Sequence, residues 1–285
     1  MAARTPTTLL VRGSAGYDRT RSRRFGLMLA AIATLLSPVE AALAQDASGT
    51  QSLDQAANDP TASIMSLQLA DWYAPTYHHL DDSDNVIALR AAIPFELGGI
   101  DNIFRITAPI ITDHPALEPG LGDITIFDLM VFNESWGRWG VGAVALLPTG
   151  GAHRGADQWA LGPALGFTAP VSDDLLVGLF NQNLFHIGGD QALGQADVNV
   201  STFQPILSHK LGGGWSVGFS EMQIAYDWED GRFSSLPLGI QLSKLQKFGD
   251  QPVQFSLQYE HNFADSQVAP SDTIRATVKF LFATK

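Results

Sequence analysis

The stretch VQFSLQYEHNF at residues 253–263 decides the fold. Val253, Phe255, Leu257, Tyr259 and Phe263 interleave with Gln254, Ser256, Gln258, Glu260 and Asn262. Successive side chains of a strand point to opposite faces, so this alternation describes a ribbon with one oily and one wet face. The C-terminal stretch repeats it: Ile274, Ala276, Val278, Phe280 and Phe282 alternate with Arg275, Thr277 and Lys279. Working outward, residues 158–168, 236–243 and 86–95 carry the same two-sided pattern. Weaker versions cover 64–74, 102–111, 122–132, 138–147, 175–185, 197–207 and 215–226. A strand of about ten residues, rising about 3.3 Å each and tilted near 45°, covers roughly 23 Å along a membrane normal.

The connections sort into two alternating sets. Leu97-Gly98-Gly99, Glu134-Ser135-Trp136, Ser172-Asp173-Asp174, Gly212-Gly213-Gly214 and Gly249-Asp250 make tight turns. At every other position lie longer polar stretches, at 76–84, 112–119, 149–156, 188–194, 227–233 and 264–270. Short periplasmic turns alternating with long external loops, both termini on the periplasmic side, is what an even-stranded barrel requires. No stretch beyond the N-terminal region offers about twenty consecutive apolar residues, so crossing by helices is excluded. The expected fold is all-β, a transmembrane antiparallel up-and-down barrel of about 12 strands. A secreted β-sandwich would show similar alternation, but it would not place so many glycines on the polar side. The terminal Phe280-Leu281-Phe282 also suits a chain handed to the outer-membrane assembly machinery.

Upstream of the pattern, Arg19, Arg21, Arg23 and Arg24 precede an apolar run at 25–36, and Ala42-Leu43-Ala44 offers small residues two apart. This order predicts a cleaved signal peptide over 1–44, with unfolded export toward the cell outer membrane. Residues 45–60 are rich in Ala, Ser, Asp and Asn and read as a flexible periplasmic leader, and 61–285 as the barrel. The whole chain carries a net charge of -12; without residues 1–44 it keeps 11 basic against 27 acidic side chains. So acidic a balance excludes nucleic acid as a partner, because phosphates demand clustered Lys and Arg. The lack of cysteine fits an oxidising compartment entered without a disulfide framework.

Several blocks, in order, resemble a known family: GLGD from Gly120, ITIFDL from Ile124, WGVGAVALLPTG from Trp139, WALGPALGF from Trp159, GGWSVGFS from Gly213, QPVQFSLQYEHN from Gln251 and ATVKFLF from Ala276. The chain from about Thr61 to Phe282 is similar in these to the outer-membrane proteins grouped as meta-pathway phenol-degradation transporters. That resemblance implies a barrel and a role in moving small molecules. It implies no catalytic residue.

If the oily faces meet lipid, the opposite faces line the lumen. On that parity Arg90, Arg105, Gln241, Gln254, Gln258, Glu260, Arg275 and Lys279 point inward. Asp128 is expected with them, Phe127, Leu129 and Val131 taking the other face, and Asp123 would need a bulge near Gly122. Gly140, Gly142, Gly162 and Gly166, on one parity, would leave room for a passage. In one reading these charges set a transverse field that selects small polar or anionic solutes; in the other they pair within a closed structural barrel.

The best metal-like cluster, His78 and His79 with Asp81, Asp82 and Asp84, reads as a solvated loop, and Asp227, Glu229 and Asp230 lack the spacing of a calcium loop. No metal or cofactor is expected. An outer-membrane lipid hydrolase is the enzyme alternative, using His186, His209 or His261 with Ser201, Ser208 or Ser256, but no strand-to-helix nucleophile elbow supports it. Trp72, Tyr73, Trp136, Trp139, Trp159, Trp215, Tyr226 and Trp228 fall near strand ends and suit aromatic girdles. The expected function is a channel that passively admits small molecules, aromatic or hydrophobic compounds if the family resemblance holds for the cargo, with outer-membrane lipid, lipopolysaccharide and a small solute as its partners.

Overall fold

The computed structural model describes residues 53–190 and 196–282. The expected signal peptide, the first half of the expected leader and part of the loop at 188–194 lie outside them. A short helix, α1 (Leu53–Ala56), precedes fifteen strand segments. These are β1 (Met65–Tyr77), β2 (Asp84–Leu97), β3 (Ile100–Asp113), β4 (Gly120–Leu121), β5 (Ile124–Glu134), β6 (Gly137–Leu147), β7 (Gln158–Pro170) and β8 (Leu175–Gly189). They continue with β9 (Asn199–Gly212), β10 (Trp215–Phe219), β11 (Ile224–Asp227), β12 (Arg232–Ser235), β13 (Pro237–Phe248), β14 (Gln251–Asn262) and β15 (Pro270–Phe282). All pair antiparallel, β1 closes on β15, and β10 joins β9 to β13, so the wall is a closed barrel of 12 strands. β10 with β11, and β12 with β13, are the two halves of interrupted strands. β4 is a short piece paired to β3 ahead of β5.

Eleven of the twelve alternating stretches fall each on one full wall strand, and the twelfth, 215–226, is split between β10 and β11 by a break at 220–223. The registers show why the alternation is decisive. Gln254, Lys279, Gln68, Arg90 and Thr107 are successive cross-strand partners, so one wet row circles the inside of five strands. Phe255, Val278, Leu69, Leu89 and Ala108 form an oily row on the outside, where Leu69 and Leu89 are exposed. Shifting any strand by one residue would exchange the rows, which lipid forbids.

Three expectations are corrected. Residues 53–60 are no flexible leader: α1 and the residues just after it are lodged inside the barrel, with Ala56, Ala57, Asp59 and Thr61 buried. A polar, small-residue composition reads as solvated coil, yet the same side chains can bond the polar lining of a lumen. Asp128 faces outward, not inward. Its partners Phe104 and Ala143 share the lipid side, while Phe127, Leu129 and Val131 are 4%, 0% and 3% exposed and point into the barrel. The error comes from assigning the oily side of β5 to lipid, when this strand is apolar on both faces.

The glycines are the third. A Cβ on Gly140 would lie 2.6 Å from Leu129 Cδ2, and one on Gly166 would lie 2.6 Å from Phe180 Cδ2. The space they leave is thus filled by neighbouring large side chains. Ile103, Phe127, Leu129, Val131, Val144 and Phe180 form an apolar cluster inside the β3 to β9 half of the wall. The opposite half, β13 to β2, carries the polar row. Asp123 does leave the ladder, at the break between β4 and β5, where its carboxylate accepts N–H bonds from Gly150 and Ala156 at 2.9 and 2.6 Å.

Candidate functional site

The charged residues converge on one acidic side chain that alternation alone does not find. Between β10 and β11 the chain leaves the wall, and Glu221 turns inward. Its N–H donates to Gln258 Oε1 at 2.8 Å and its carbonyl accepts from Arg275 Nη1 at 2.8 Å. The Glu221 carboxylate takes Arg90 Nη1 at 2.8 Å and stands 4.0 Å from Lys279 Nζ. Arg275 also reaches Glu260 at 3.1 Å and lies over the Trp72 ring, which places that tryptophan inside the barrel and not in a girdle. A continuous strand over 215–226 would hold Glu221 in the ladder, so only the break at 220–223 brings it to the basic groups.

Arg105, from β3, completes the cluster. Its guanidinium carbon sits 4.5 Å from the centre of the Phe127 ring, a geometry in which the ring's electron-rich face attracts the cation. Arg105 Nε is buried and makes no hydrogen bond. Arg90, Arg105, Glu221 and Lys279 border a cavity that also touches Ile103 and Ile206, so polar and apolar linings meet there.

Residues 53–64 lie inside the barrel beside this cavity. Asn58 donates to Ser208 on β9 and Ser216 on β10, each at 3.3 Å, and accepts from Gln241 and Gln254 at 3.0 and 3.2 Å. Lys279 Nζ donates to the Ala57 carbonyl at 2.8 Å. Across the barrel, Asp59 is held by Arg138 Nη2 at 2.7 Å, with Thr61 and Thr168 hydroxyls on the same carboxylate. The Asp59 side chain is 0% exposed, so this is a buried ion pair whose remaining acceptors are satisfied. Leu53, Ala57 and Ile64 pack on Leu245 and Leu281. Strands β6, β7, β9, β10, β13, β14 and β15 all touch this segment, at their ends nearest the short turns.

Every inward residue named from sequence except Asp128 therefore takes part in this interior. Gln241 and Gln254 hold the segment, Gln258 positions Glu221, and Arg90, Arg105, Glu260, Arg275 and Lys279 form the charged cluster. The loop histidines serve the rim instead. His78 Nε2 meets the Asn262 carbonyl at 2.8 Å, His79 contacts the Asp265 carbonyl, and Tyr77 bonds Asp84, tying two long loops together. Arg232 pairs with Asp230 at 2.8 Å, and Asn199 Nδ2 donates to Glu229 at 2.6 Å. Trp136, Trp139 and Trp159 stand exposed on the outer wall, as girdle residues do.

Two of the three histidines considered for hydrolysis find other partners. His186 Nδ1 lies 2.9 Å from Gln158 Oε1, and His261 Nδ1 lies 3.0 Å from Asp272. Gly214-Trp215-Ser216-Val217-Gly218 does spell G-x-S-x-G. It runs into and along β10 with no helix after it, and Ser216 Oγ accepts from Asn58, so it is no nucleophile elbow.

No protein-family model matches the chain, and no curated protein matches it in sequence. Solved structures do resemble it. The COG4313 outer membrane channel from Pseudomonas putida F1 superposes with a TM-score of 0.55 at 14% identity, over 84% of this chain and 99% of that one. The KdgM porin reaches a TM-score of 0.47 at 11% identity, over 76% and 99%. The outer membrane phospholipase A from Escherichia coli reaches 0.40 at 9% identity, over 77% and 92%. Of these three, the first alone exceeds a score of 0.5, and at 14% identity it speaks to the fold alone. The protein is thus a closed twelve-stranded antiparallel β-barrel with the fold of the outer membrane channel it superposes on.

Proposed function

We propose that this protein is an outer-membrane channel that passively admits small solutes, with the lumen cluster as its selecting element. The observation that carries this reading is the surplus of positive charge around one cavity: Arg90, Arg105 and Lys279 line it with Glu221, and its second acid, Asp59, is paired with Arg138. A barrel serving only structure would be expected to pair its interior charges completely, whereas Arg105 Nε is left without a hydrogen bond. An anionic or polar group on the solute would find that guanidinium, and an apolar or aromatic body would find Ile103 and Ile206 beside it. The resemblance of the sequence blocks to phenol-degradation transporters supports small aromatic compounds as the cargo. On this reading the short turns and residues 53–64 lie toward the periplasm and the long loops face outward.

Purified protein in a planar bilayer tests the proposal. Anions should carry more current than cations in a salt gradient, and Arg105→Gln should move the reversal potential toward zero while leaving the heat-dependent gel shift of the folded barrel unchanged. The segment lodged in the lumen favours a closed barrel as the second reading. Absence of current, both from the full chain and from a variant lacking residues 45–60, would establish that reading in place of the first.

A further inference from the structure

Four arginines point from the wall strands into the lumen, and three of them hold a carboxylate. Arg90 bonds Glu221 at 2.8 Å, Arg138 bonds Asp59 at 2.7 Å and Arg275 bonds Glu260 at 3.1 Å. Arg105 is the exception: it makes no hydrogen bond or ion pair among the described residues, and its Nε is buried. The Phe127 ring lies against its guanidinium, which fixes the plane of the cation and uses none of its N–H donors. A buried donor without an acceptor is costly, so the edge of this guanidinium is built to be met by something else.

The ladder leaves room for it. Across from Arg105 on β2 is Ala92, and across from Ala92 on β1 is Ser66; both are short, and both border the cavity. Ile103, two residues along β3 on the same face, and Ile206 on β9 border it too and belong to the apolar cluster. The cavity therefore has a cationic end and an oily end. Its charges do not cancel: Arg90, Arg105 and Lys279 against Glu221 leave one positive charge, since Asp59 is neutralised by Arg138.

These features describe a ligand. One surplus positive charge is balanced by a monoanion, whereas a dianion would leave a charge of the other sign in the same dry place. Two coplanar oxygens match the edge of a guanidinium, which a spherical halide cannot do. The oily end favours a hydrocarbon tail over none. The cavity volume of about 70 Å³ keeps that tail short, because a site that takes a benzene ring measures about 150 Å³. We infer that Arg105 and the cavity beside it form a binding site for a short-chain monocarboxylate of the size of propionate, its carboxylate on Arg105 and its tail against Ile103 and Ile206. The inference rests on the channel reading for access to the lumen, and adds to it a ligand that is held where the cargo passes. Once filled, the site carries no surplus charge, so the bound acid also weakens the preference for anions.

Calorimetric titration of the purified full chain with sodium propionate, in detergent at neutral pH, tests the site. Propionate should saturate a single site. Propionamide has the shape without the charge, and formate the charge without the tail; each should bind about tenfold more weakly or worse. Arg105→Gln should weaken propionate by about tenfold or more. Ala92→Glu, which places a tethered carboxylate across from Arg105, should abolish propionate binding while the heat-dependent gel shift is retained. If Arg105→Gln lost the gel shift, Ala92→Glu would decide alone. Propionamide or formate binding as tightly as propionate would overturn the site, as would propionate binding that survives Ala92→Glu in the folded barrel. Anion-selective current from a chain that does not bind propionate would discard the site and leave the channel. Saturable propionate binding to a chain that never conducts would keep the site and discard the channel.

Discussion

The two halves of the barrel interior are built on opposite rules. From β3 to β9 the wall turns large apolar side chains inward and makes room for them with glycines on the neighbouring strand, as Leu129 against Gly140 and Phe180 against Gly166. From β13 to β2 it turns glutamines, arginines and lysine inward and bonds them to one another, to Glu221 and to residues 53–64, though Arg275 Nε and Glu260 Oε1 have no hydrogen-bond partner. The first half resembles a protein core, where burial and close packing supply the stability and removing volume costs most. The second is a hydrogen-bonded network, where removing one partner strands another in a dry place. A lumen need not be uniformly wet: here one side stiffens the barrel and the other is free to carry chemistry.

The comparison can be broken in four places. The largest effect is expected where the halves are bridged: Arg138→Ala would remove the guanidinium bonded to the fully buried Asp59 carboxylate, a loss of about 3–5 kcal/mol that should undock residues 53–64. A rise in single-channel current, with the gel shift retained, is the measurement. Next, Leu129→Ala should cost about 2–5 kcal/mol by leaving a cavity in the apolar half. It should lower the temperature at which the gel shift is lost without altering ion selectivity. Gly166→Val should cost about 1–3 kcal/mol by overpacking against Phe180, read by the same melting assay. If it cost nothing, the apolar half would be packed more loosely than a protein core. The smallest effect concerns the outer face: Asp128→Leu should stabilise the barrel, by less than the roughly 2–4 kcal/mol that a basic residue facing lipid costs at the midplane. A lower melting temperature in that variant would mean that Asp128 has a partner in the membrane.

The same contrast decides how much of the molecule is legible in its sequence. Where a strand has one oily and one wet face, as at 253–263, alternation gives both its existence and its facing: Gln254, Gln258 and Glu260 are buried while Leu257 and Tyr259 are exposed. Where both faces are apolar, parity carries no sign, and Asp128 is turned the wrong way because Phe127 and Leu129 look the same to lipid and to a core. Glu221 cannot be found by pattern at all, since it owes its position to a break that puts four residues outside any strand. The one local hint is Glu221 itself, the single charged residue between Trp215 and Tyr226. Residues 53–60 mislead for a different reason: composition reports the affinity of a segment for water, and a polar lumen offers the same bonds that water does.

The attachment of residues 53–64 directly to β1 has a consequence for how the barrel closes. β1 is the strand that seals the wall against β15, so the segment that fills the interior is delivered by the strand that completes the cylinder. If β1 docked two residues out of step, its side chains would still face the correct way, but Asp59 would be carried about 7 Å from Arg138, at about 3.3 Å per residue. The buried pair thereby acts as a latch that recognises the one closure in which first and last strands are aligned, and it rejects the near misses that lipid alone would accept.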